Sequence, residues 1–199
     1  MFGYTHWIFD LDNTLADSAI DFDAIRRALD LPPDKPILEE IGTRPATEAS
    51  ALHKRLEELE RAYALRATPL PGAQALLAAL AEHGCPRGIL TRNSRANAFA
   101  TLAGCGLAGF FAADHVLGRD EAAPKPDPAG VQKLLAAWDA APAGAVMVGD
   151  FHYDLEAGHR AGIATIYYDP QDQRLWTDHA DIRVQSHTEL LALINGNAS

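Results

Sequence analysis

The chain has 199 residues, of which 48% are hydrophobic, and this length suits one core domain that carries a modest insertion. Its formal net charge of −10 disfavours nucleic acid and anionic membrane as partners, because both repel an acidic surface. Its two cysteines, Cys85 and Cys105, are too few for a disulfide framework, and we find neither a signal peptide nor an apolar run of about 18 residues. We therefore expect a cytoplasmic protein that is a monomer or a homodimer.

The first predicted strand ends in two aspartates. Residues 6–9 (HWIF) form a short apolar run, and Asp10 and Asp12 follow it. Residues at positions i and i+2 of a strand point to the same face, so the two carboxylates converge. Two like charges in one small volume are unfavourable unless a divalent cation or a proton lies between them. The alternative interpretation is a strand that ends in a solvated turn, where Asp and Asn are common.

A helical segment without strands is predicted between residues 18 and 69. Apolar residues at helical spacing predict one helix over residues 22–31 and a second from about 45 to 67, with a proline-rich break at 32–36 between them. This segment is inserted directly after the first strand. An insertion at that edge of a sheet would lie over a ligand site as a lid.

Strands and helices alternate in the remainder of the chain. The predicted strands cover residues 87–91, 114–117, 145–148, 163–168 and 182–184, and the predicted helices cover residues 73–82, 94–103, 128–138, 154–161 and 188–194. This alternation implies right-handed crossovers and a parallel sheet, and therefore an α/β fold. Ligands of such sheets bind beyond the carboxyl ends of the strands, so the residues there are candidates for a functional site.

Three further polar residues lie at this edge of the predicted sheet. Thr91 ends one strand, Asp150 follows another, and Lys125 lies in a proline-rich segment that restricts its movement. Taken singly, Thr91 could be a helix cap, Lys125 a solvated surface charge and Asp150 part of a turn. Because all of them lie at the edge that carries Asp10, together they favour a binding or catalytic site.

Four segments in this order resemble the motifs of the haloacid dehalogenase superfamily of phosphohydrolases. Residues 10–15 (DLDNTL) resemble the first motif, residues 89–91 (ILT) the second, Lys125 the third, and residues 149–154 (GDFHYD) the fourth. The position of the helical insertion resembles the small cap of the phosphoglycolate phosphatase-like branch of this superfamily.

The resemblance implies two domains. Residues 1–17 and 70–199 would form a Rossmann-like three-layer α/β core with a parallel sheet, and residues 18–69 a small helical cap inserted after the first strand. Related caps carry a specificity loop at the place where residues 41–45 stand. Arg44 in this segment could reach a carboxylate or a second phosphate of a substrate. The alternative is an arginine that faces solvent in a connecting loop.

The resemblance also implies a covalent mechanism. Asp10 would attack phosphorus and form an aspartyl-phosphate, and Asp12 would act as general acid toward the leaving group and then as general base for water. Mg²⁺ would be held by the side chains of Asp10 and Asp150 and by the main-chain carbonyl of Asp12, since this ion prefers hard oxygen ligands. Asp154 would orient Lys125 or metal-bound waters rather than bind the ion.

The same resemblance assigns phosphate binding to the residues after one strand and to the lysine. Thr91, the backbone N–H of Arg92 and the ammonium of Lys125 would bind phosphate oxygens, and Asn93 would face the substrate. Lys125 would also reduce the repulsion between Asp10 and the incoming dianion.

The sequence therefore predicts a Mg²⁺-dependent phosphatase that acts on a small phosphorylated metabolite, such as phosphoglycolate or a sugar phosphate. A phosphomutase of the same superfamily, which needs a cap that excludes water, is one alternative. A dehalogenase would need neither Asp12 nor a metal. A non-catalytic binding protein on this fold is the alternative from a different class, since a fold alone does not prove activity.

Overall fold

A parallel sheet forms the centre of the structure, a computed structural model that describes residues 3–196. The strands of the described chain are β1 His6–Phe9, β2 Ala16–Asp17, β3 Thr68–Pro69, β4 Arg87–Leu90, β5 Val116–Leu117, β6 Ala145–Gly149, β7 Ala164–Tyr168 and β8 Ile182–Val184, of which β2 and β3 lie outside the parallel sheet. Its helices are α1 Phe22–Ala28, α2 Ile37–Gly42, α3 Ala46–Ala64, α4 Ala73–Glu82, α5 Arg95–Gly104, α6 Ala129–Ala137, α7 His152–Arg160 and α8 His187–Ile194. The sheet has the strand order β5-β4-β1-β6-β7-β8, which places β1 and β6 side by side at its centre. The predicted α/β fold class is confirmed.

Helices cover both faces of the sheet and form three layers with it. Trp7 and Phe9 of β1 pack in one hydrophobic core with residues of α4, α5 and α8, while Ile8 packs in a second core with residues of α6 and α7. Successive strand residues therefore face opposite layers, as the pleat of a strand requires. Because both faces are covered, the central strands are apolar and buried along most of their length.

Helices α1, α2 and α3 form a separate cluster between β2 and β3. The buried side chains at its centre are Ile25, Leu29, Leu31, Ile41 and Leu56. Helix α3 packs against α5, which seats the cluster beside the carboxyl end of β4. The division into a core (1–17 and 70–199) and a cap (18–69) stays a prediction, and its ends at residues 1–2 and 197–199 lie outside the described residues. We use the word cap for residues 18–69.

The two ends of the cap meet in a short antiparallel ribbon. Ala16 pairs with Pro69 and Asp17 pairs with Thr68, so the chain enters and leaves the cap at one place. The prediction of a segment without strands over residues 18–69 is therefore wrong at its carboxyl end. A strand of two residues is too short to show an alternating pattern, so its sequence does not distinguish it from a loop.

Helix α2 is the largest difference from the predicted elements. The sequence predicts a connecting loop over residues 41–45, but Ile41 and Gly42 belong to α2. The prolines at 32–36 suggested a break, yet Pro36 stands just before the first helical residue. At that position the missing N–H of proline removes no helical hydrogen bond, so the helix can begin there.

Several other elements are shorter than predicted, and α3, predicted over about 45–67, spans Ala46–Ala64. Helix α1 ends at Ala28, and Asp30 beyond it has a left-handed backbone (φ 53°) that does not continue a helix. The predicted strand over residues 114–117 keeps only its last two residues, because Ala113–His115 forms a 3₁₀ turn. Among residues 3–196, no helix is both long and apolar enough to cross a membrane.

Candidate active site

A buried lysine between two carboxylates lies at the centre of the site. The Nζ atom of Lys125 is 2.5 Å from Oδ1 of Asp10 and 2.6 Å from Oδ1 of Asp154, and these side chains are 3%, 11% and 3% exposed. Burial alone would lower the pKa of Lys125, but the charges of Asp10 and Asp154 outweigh it and raise that pKa above its usual value. The ammonium is therefore held charged beside both carboxylates.

The strand ends bring these groups together. Asp10 follows β1, and its backbone N–H donates a hydrogen bond of 2.9 Å to the Val148 carbonyl of β6. Asp154 lies in the first turn of α7, where its Oδ2 accepts a hydrogen bond of 3.1 Å from the Phe151 N–H. Gly149 ends β6, and a Cβ atom there would overlap the side chain of Asp154. Glycine at this position therefore allows Asp154 to approach Lys125.

Three carboxylates form a cluster that could hold a metal ion. Oxygen atoms of Asp10, Asp150 and Asp154 all lie within 4.8 Å of one another. Burial raises the pKa of Asp150 to about 7, and the charge of Asp154 adds to this effect. Burial likewise raises the pKa of Asp10 well above its usual value, although Lys125 acts against it. Hard oxygen donors with excess negative charge suit a divalent cation such as Mg²⁺, which would relieve the repulsion between them.

Asp12 is close to this cluster but is not part of it. Its side chain is half-buried, and its Oδ1 atom has no hydrogen-bond partner among residues 3–196. Burial raises the pKa of Asp12, and the side chains of Ser18 and Asn93 and the charge of Lys125 act against that rise. A carboxyl group with a raised pKa and an unused oxygen is suited to proton transfer near neutral pH.

The loop after β4 is held by local hydrogen bonds. The Thr91 hydroxyl accepts a hydrogen bond of 3.1 Å from the Asn93 N–H, and the Asn93 side chain accepts one of 2.8 Å from the Ser94 N–H. Ser94 in turn is the N-cap of α5 and accepts from the Asn97 N–H at 3.3 Å. Thr91 and Asn93 are buried. These contacts hold the loop in one conformation at the same sheet edge as Asp10.

The side chain of Arg92 links this loop to the cap. Its guanidinium lies 2.7 and 2.8 Å from the two carboxylate oxygens of Glu39 in α2, and it also donates to the main-chain carbonyl of Lys125. A buried ion pair between Glu60 of α3 and Arg119, at 2.7 Å, is a second link. Glu39, Glu60 and Arg119 were not predicted from the sequence, because a single charged residue carries no local signal of a partner far along the chain.

The structure does not bring Arg44 to the other predicted site residues. Arg44 connects α2 to α3, and its ion pairs within the described chain are with Glu40 at 3.2 Å and with Glu48 at 3.6 Å. Each partner is four residues away along the sequence, so these contacts stay within the cap. The substrate contact expected of Arg44 stays a prediction.

Comparison with known proteins shows the family of the chain. A model of the haloacid dehalogenase-like hydrolase family matches residues 4–162, and the chain belongs to this family. The phosphoglycolate phosphatase of Rhodospirillum rubrum is 32% identical over 186 residues, which cover 80% of this chain and 77% of that protein. An uncharacterized hydrolase of Saccharomyces cerevisiae is 28% identical over 195 residues, which cover 94% of this chain and 89% of that protein. The predicted family is therefore confirmed, and these relatives support a phosphatase.

Solved structures show the same fold. A haloacid dehalogenase-like family hydrolase from Streptococcus pneumoniae has a TM-score of 0.77 at 22% identity and covers 98% of this chain and all of that chain (100%). A HAD phosphatase from Thermococcus onnurineus has a TM-score of 0.70 at 24% identity, with coverage of 98% and 100%. At this identity the likeness establishes the fold, and the arrangement of the site rests on the contacts described above.

Proposed function

We propose that the chain is a Mg²⁺-dependent phosphatase that hydrolyses a small phosphorylated metabolite, of the phosphoglycolate or sugar-phosphate kind, through an aspartyl-phosphate on Asp10. The observation that carries the proposal is the contact of Lys125 with Asp10 and Asp154, with Asp150 beside them. This arrangement supplies a nucleophile, a cation for phosphate oxygens and a possible metal site in one volume.

In the first step, a carboxylate oxygen of Asp10 attacks phosphorus while the bond from phosphorus to the ester oxygen breaks. Asp12 in its protonated form gives its proton to the departing alkoxide, so the leaving group departs as an alcohol. The raised pKa of Asp12 supports this role, because it increases the protonated fraction near neutral pH.

In the second step, the roles of Asp12 are reversed. Its carboxylate takes a proton from water, and the water oxygen attacks phosphorus as the bond to Asp10 breaks. Inorganic phosphate leaves, the carboxylate of Asp10 is restored, and Asp12 is again protonated for the next substrate.

Phosphate oxygens would be bound by four groups, three in the loop after β4 and one in the loop that carries Lys125. We assign them to the Thr91 hydroxyl, the Arg92 backbone N–H, the Asn93 side chain and the Lys125 ammonium. The hydrogen bonds that hold the loop after β4 support this assignment, because a preorganised site binds without a reorganisation cost. We leave Arg44 out, since its guanidinium is paired within the cap.

The carboxylate cluster fits a magnesium ion. We assign its ligands to the side chains of Asp10 and Asp150 and to the main-chain carbonyl of Asp12, and we assign Asp154 to the positioning of Lys125. When bound, Mg²⁺ reduces the negative charge on the phosphoryl group and so favours attack by an anionic nucleophile.

We further propose a cytoplasmic monomer or homodimer whose partner is a small phosphorylated metabolite. The free thiols of Cys85 and Cys105 support a reducing compartment.

The test is the release of inorganic phosphate from a panel of small phosphate esters, measured with Mg²⁺ and with EDTA. We expect metal-dependent turnover of a few related esters. If the folded protein releases no phosphate from any ester with Mg²⁺ present, the phosphatase proposal is wrong. A mutase or a non-catalytic binding protein would then be favoured.

A further inference from the structure

Two arginines of the core beside the site, and one arginine of the cap, are already paired with glutamates of the cap. Within the described residues, the ion pairs are Arg92 with Glu39, Arg119 with Glu60, and Arg44 with Glu40 and Glu48. Arg92 and Arg119 belong to the core, so their pairs cross from the core to the cap. A leaving group that binds between the core and the cap would lie beside these pairs, so they affect which charge it can carry.

Arg92 belongs to the loop after β4, and its guanidinium is a cation that a second anionic group of a substrate could use. Both carboxylate oxygens of Glu39 contact one of its amino groups, at 2.7 and 2.8 Å. Another amino group donates to the Lys125 carbonyl, and the guanidinium lies over the ring of Tyr153 with its carbon 4.6 Å from the ring centroid. Both terminal amino groups of Arg92 and one face of its guanidinium thus have partners before any substrate arrives.

Arg119 is held still more firmly. It lies 3.0 and 2.7 Å from the two carboxylate oxygens of Glu60 and 3.4 Å from the Arg92 carbonyl, and the side chains of the pair are 6% and 10% exposed. Moving Arg119 toward a ligand would leave the carboxylate of Glu60 buried without a partner, which is costly. Arg119 is therefore not available to a substrate.

A leaving group with its own carboxylate or phosphate would meet these glutamates. To reach Arg92 it must displace Glu39, and the freed carboxylate would then lie beside the second charge of the substrate. Like charges brought together at a binding site disfavour the ligand strongly. A leaving group that carries only hydroxyl groups does not meet this repulsion.

We propose that the site selects phosphate monoesters whose leaving group carries no second negative charge, and that Glu39 of α2 is the residue that enforces this selection. The inference rests on the proposed phosphatase function and narrows its substrate class. It favours a hydroxylated leaving group, as in a sugar or polyol phosphate, over a leaving group with a carboxylate, as in phosphoglycolate.

The experiment compares 2-hydroxyethyl phosphate with 2-phosphoglycolate, which are similar in size and differ in the charge of the leaving group. We measure kcat/KM for both esters with Mg²⁺ for the wild type, for Glu39→Gln and for the control Glu48→Gln. We expect the wild type to favour the hydroxyethyl ester by about tenfold, and Glu39→Gln to shift the ratio toward phosphoglycolate by about tenfold. Glu48→Gln removes a charge from the Arg44 pair inside the cap and should change the ratio by less than about twofold.

The ratio of the two esters separates selection from general damage to the cap. A wild type that favours phosphoglycolate would overturn the inference. So would an unchanged ratio in Glu39→Gln, including a case in which both esters slow by the same factor. Failure to hydrolyse the hydroxyethyl ester while other esters of the panel turn over also counts against it. If no ester is hydrolysed at all, the proposed function fails, and this inference fails with it.

Discussion

Two ion-pair contacts of the site differ in their burial, namely those of Lys125 in the core and that of Glu39 in the cap. In the core, Lys125 and its partners Asp10 and Asp154 are at most 11% exposed, whereas Glu39 of the cap is 49% exposed where it meets Arg92. Removing one partner of a buried pair leaves an uncompensated charge, but an exposed pair is screened by water and salt and contributes little. The core thus holds the charges around Lys125 in one arrangement, whereas the pair of Glu39 with Arg92 stays in contact with solvent and contributes little to stability.

The largest effect is expected from Asp10→Asn. An amide in place of the nucleophile should reduce turnover by on the order of 10⁴-fold, because no aspartyl-phosphate can form. The measurement is phosphate release from the best ester of the panel, and Asp114→Asn at an exposed position in a 3₁₀ turn is the control. Near-normal activity of Asp10→Asn would contradict the proposed mechanism through an aspartyl-phosphate.

Lys125→Met tests whether the buried contacts of Lys125 with Asp10 and Asp154 are needed for the stability of the fold. It leaves the carboxylates of Asp10 and Asp154 buried without their cation, so we expect the free energy of unfolding to fall by about 3–5 kcal/mol. Urea denaturation followed by circular dichroism measures this change. Lys133→Met, an exposed lysine on α6, should alter the free energy by less than about 0.5 kcal/mol. If the free energy of unfolding falls by less than about 1 kcal/mol in Lys125→Met, the buried contacts of Lys125 contribute no more than an exposed ion pair does.

Asp150→Asn should make the protein more stable without metal and change its dependence on pH. The native pKa of Asp150 is about 7, above the value near 4 of an unfolded chain, so the folded state binds this proton more tightly. The stability that comes from Asp150 is therefore present below about pH 4 and is lost as the pH rises through about 7.

For Asp150→Asn we expect a flatter pH profile and a gain of about 1–2 kcal/mol at pH 7.5 in EDTA. The measurement is urea denaturation between pH 4 and 8, with Asp34→Asn on the exposed surface of the cap as the control. An unchanged slope in Asp150→Asn would show that burial and the charge of Asp154 do not raise the pKa of the Asp150 carboxyl group.

The smallest effect is expected from Arg44→Ala. Its pairs with Glu40 and Glu48 lie on the cap, so we expect the free energy of unfolding to change by less than about 1 kcal/mol and kcat/KM by less than about twofold. Steady-state kinetics on the best ester decides the point. A rise of KM by more than about tenfold would show that Arg44 leaves its glutamates and contacts the substrate after all.

The sequence was most informative where a functional residue stands next to a strong local pattern. Asp10 and Asp12 directly follow an apolar strand, and Thr91 and Asp150 stand at the ends of two others, so their shared sheet edge could be predicted. Helix α2 could not be predicted, because prolines precede it and its six residues are too few to show a clear helical periodicity of apolar residues. Arg44 lies in the connection between α2 and α3, as the sequence indicated, and its substrate contact stays a prediction.

The sequence by itself determined the fold class and the edge of the sheet where the site lies, because these follow from local periodicity and from the order of the strands, and it indicated the family through four motifs that resemble those of a known superfamily. Only the tertiary structure decided which charges meet. Lys125 and Asp10 are 115 residues apart and Arg92 and Glu39 are 53 apart, and neither pair has a local signal. Their contacts depend on where a loop and the cap are packed against the sheet, and packing of that kind is set by the whole chain.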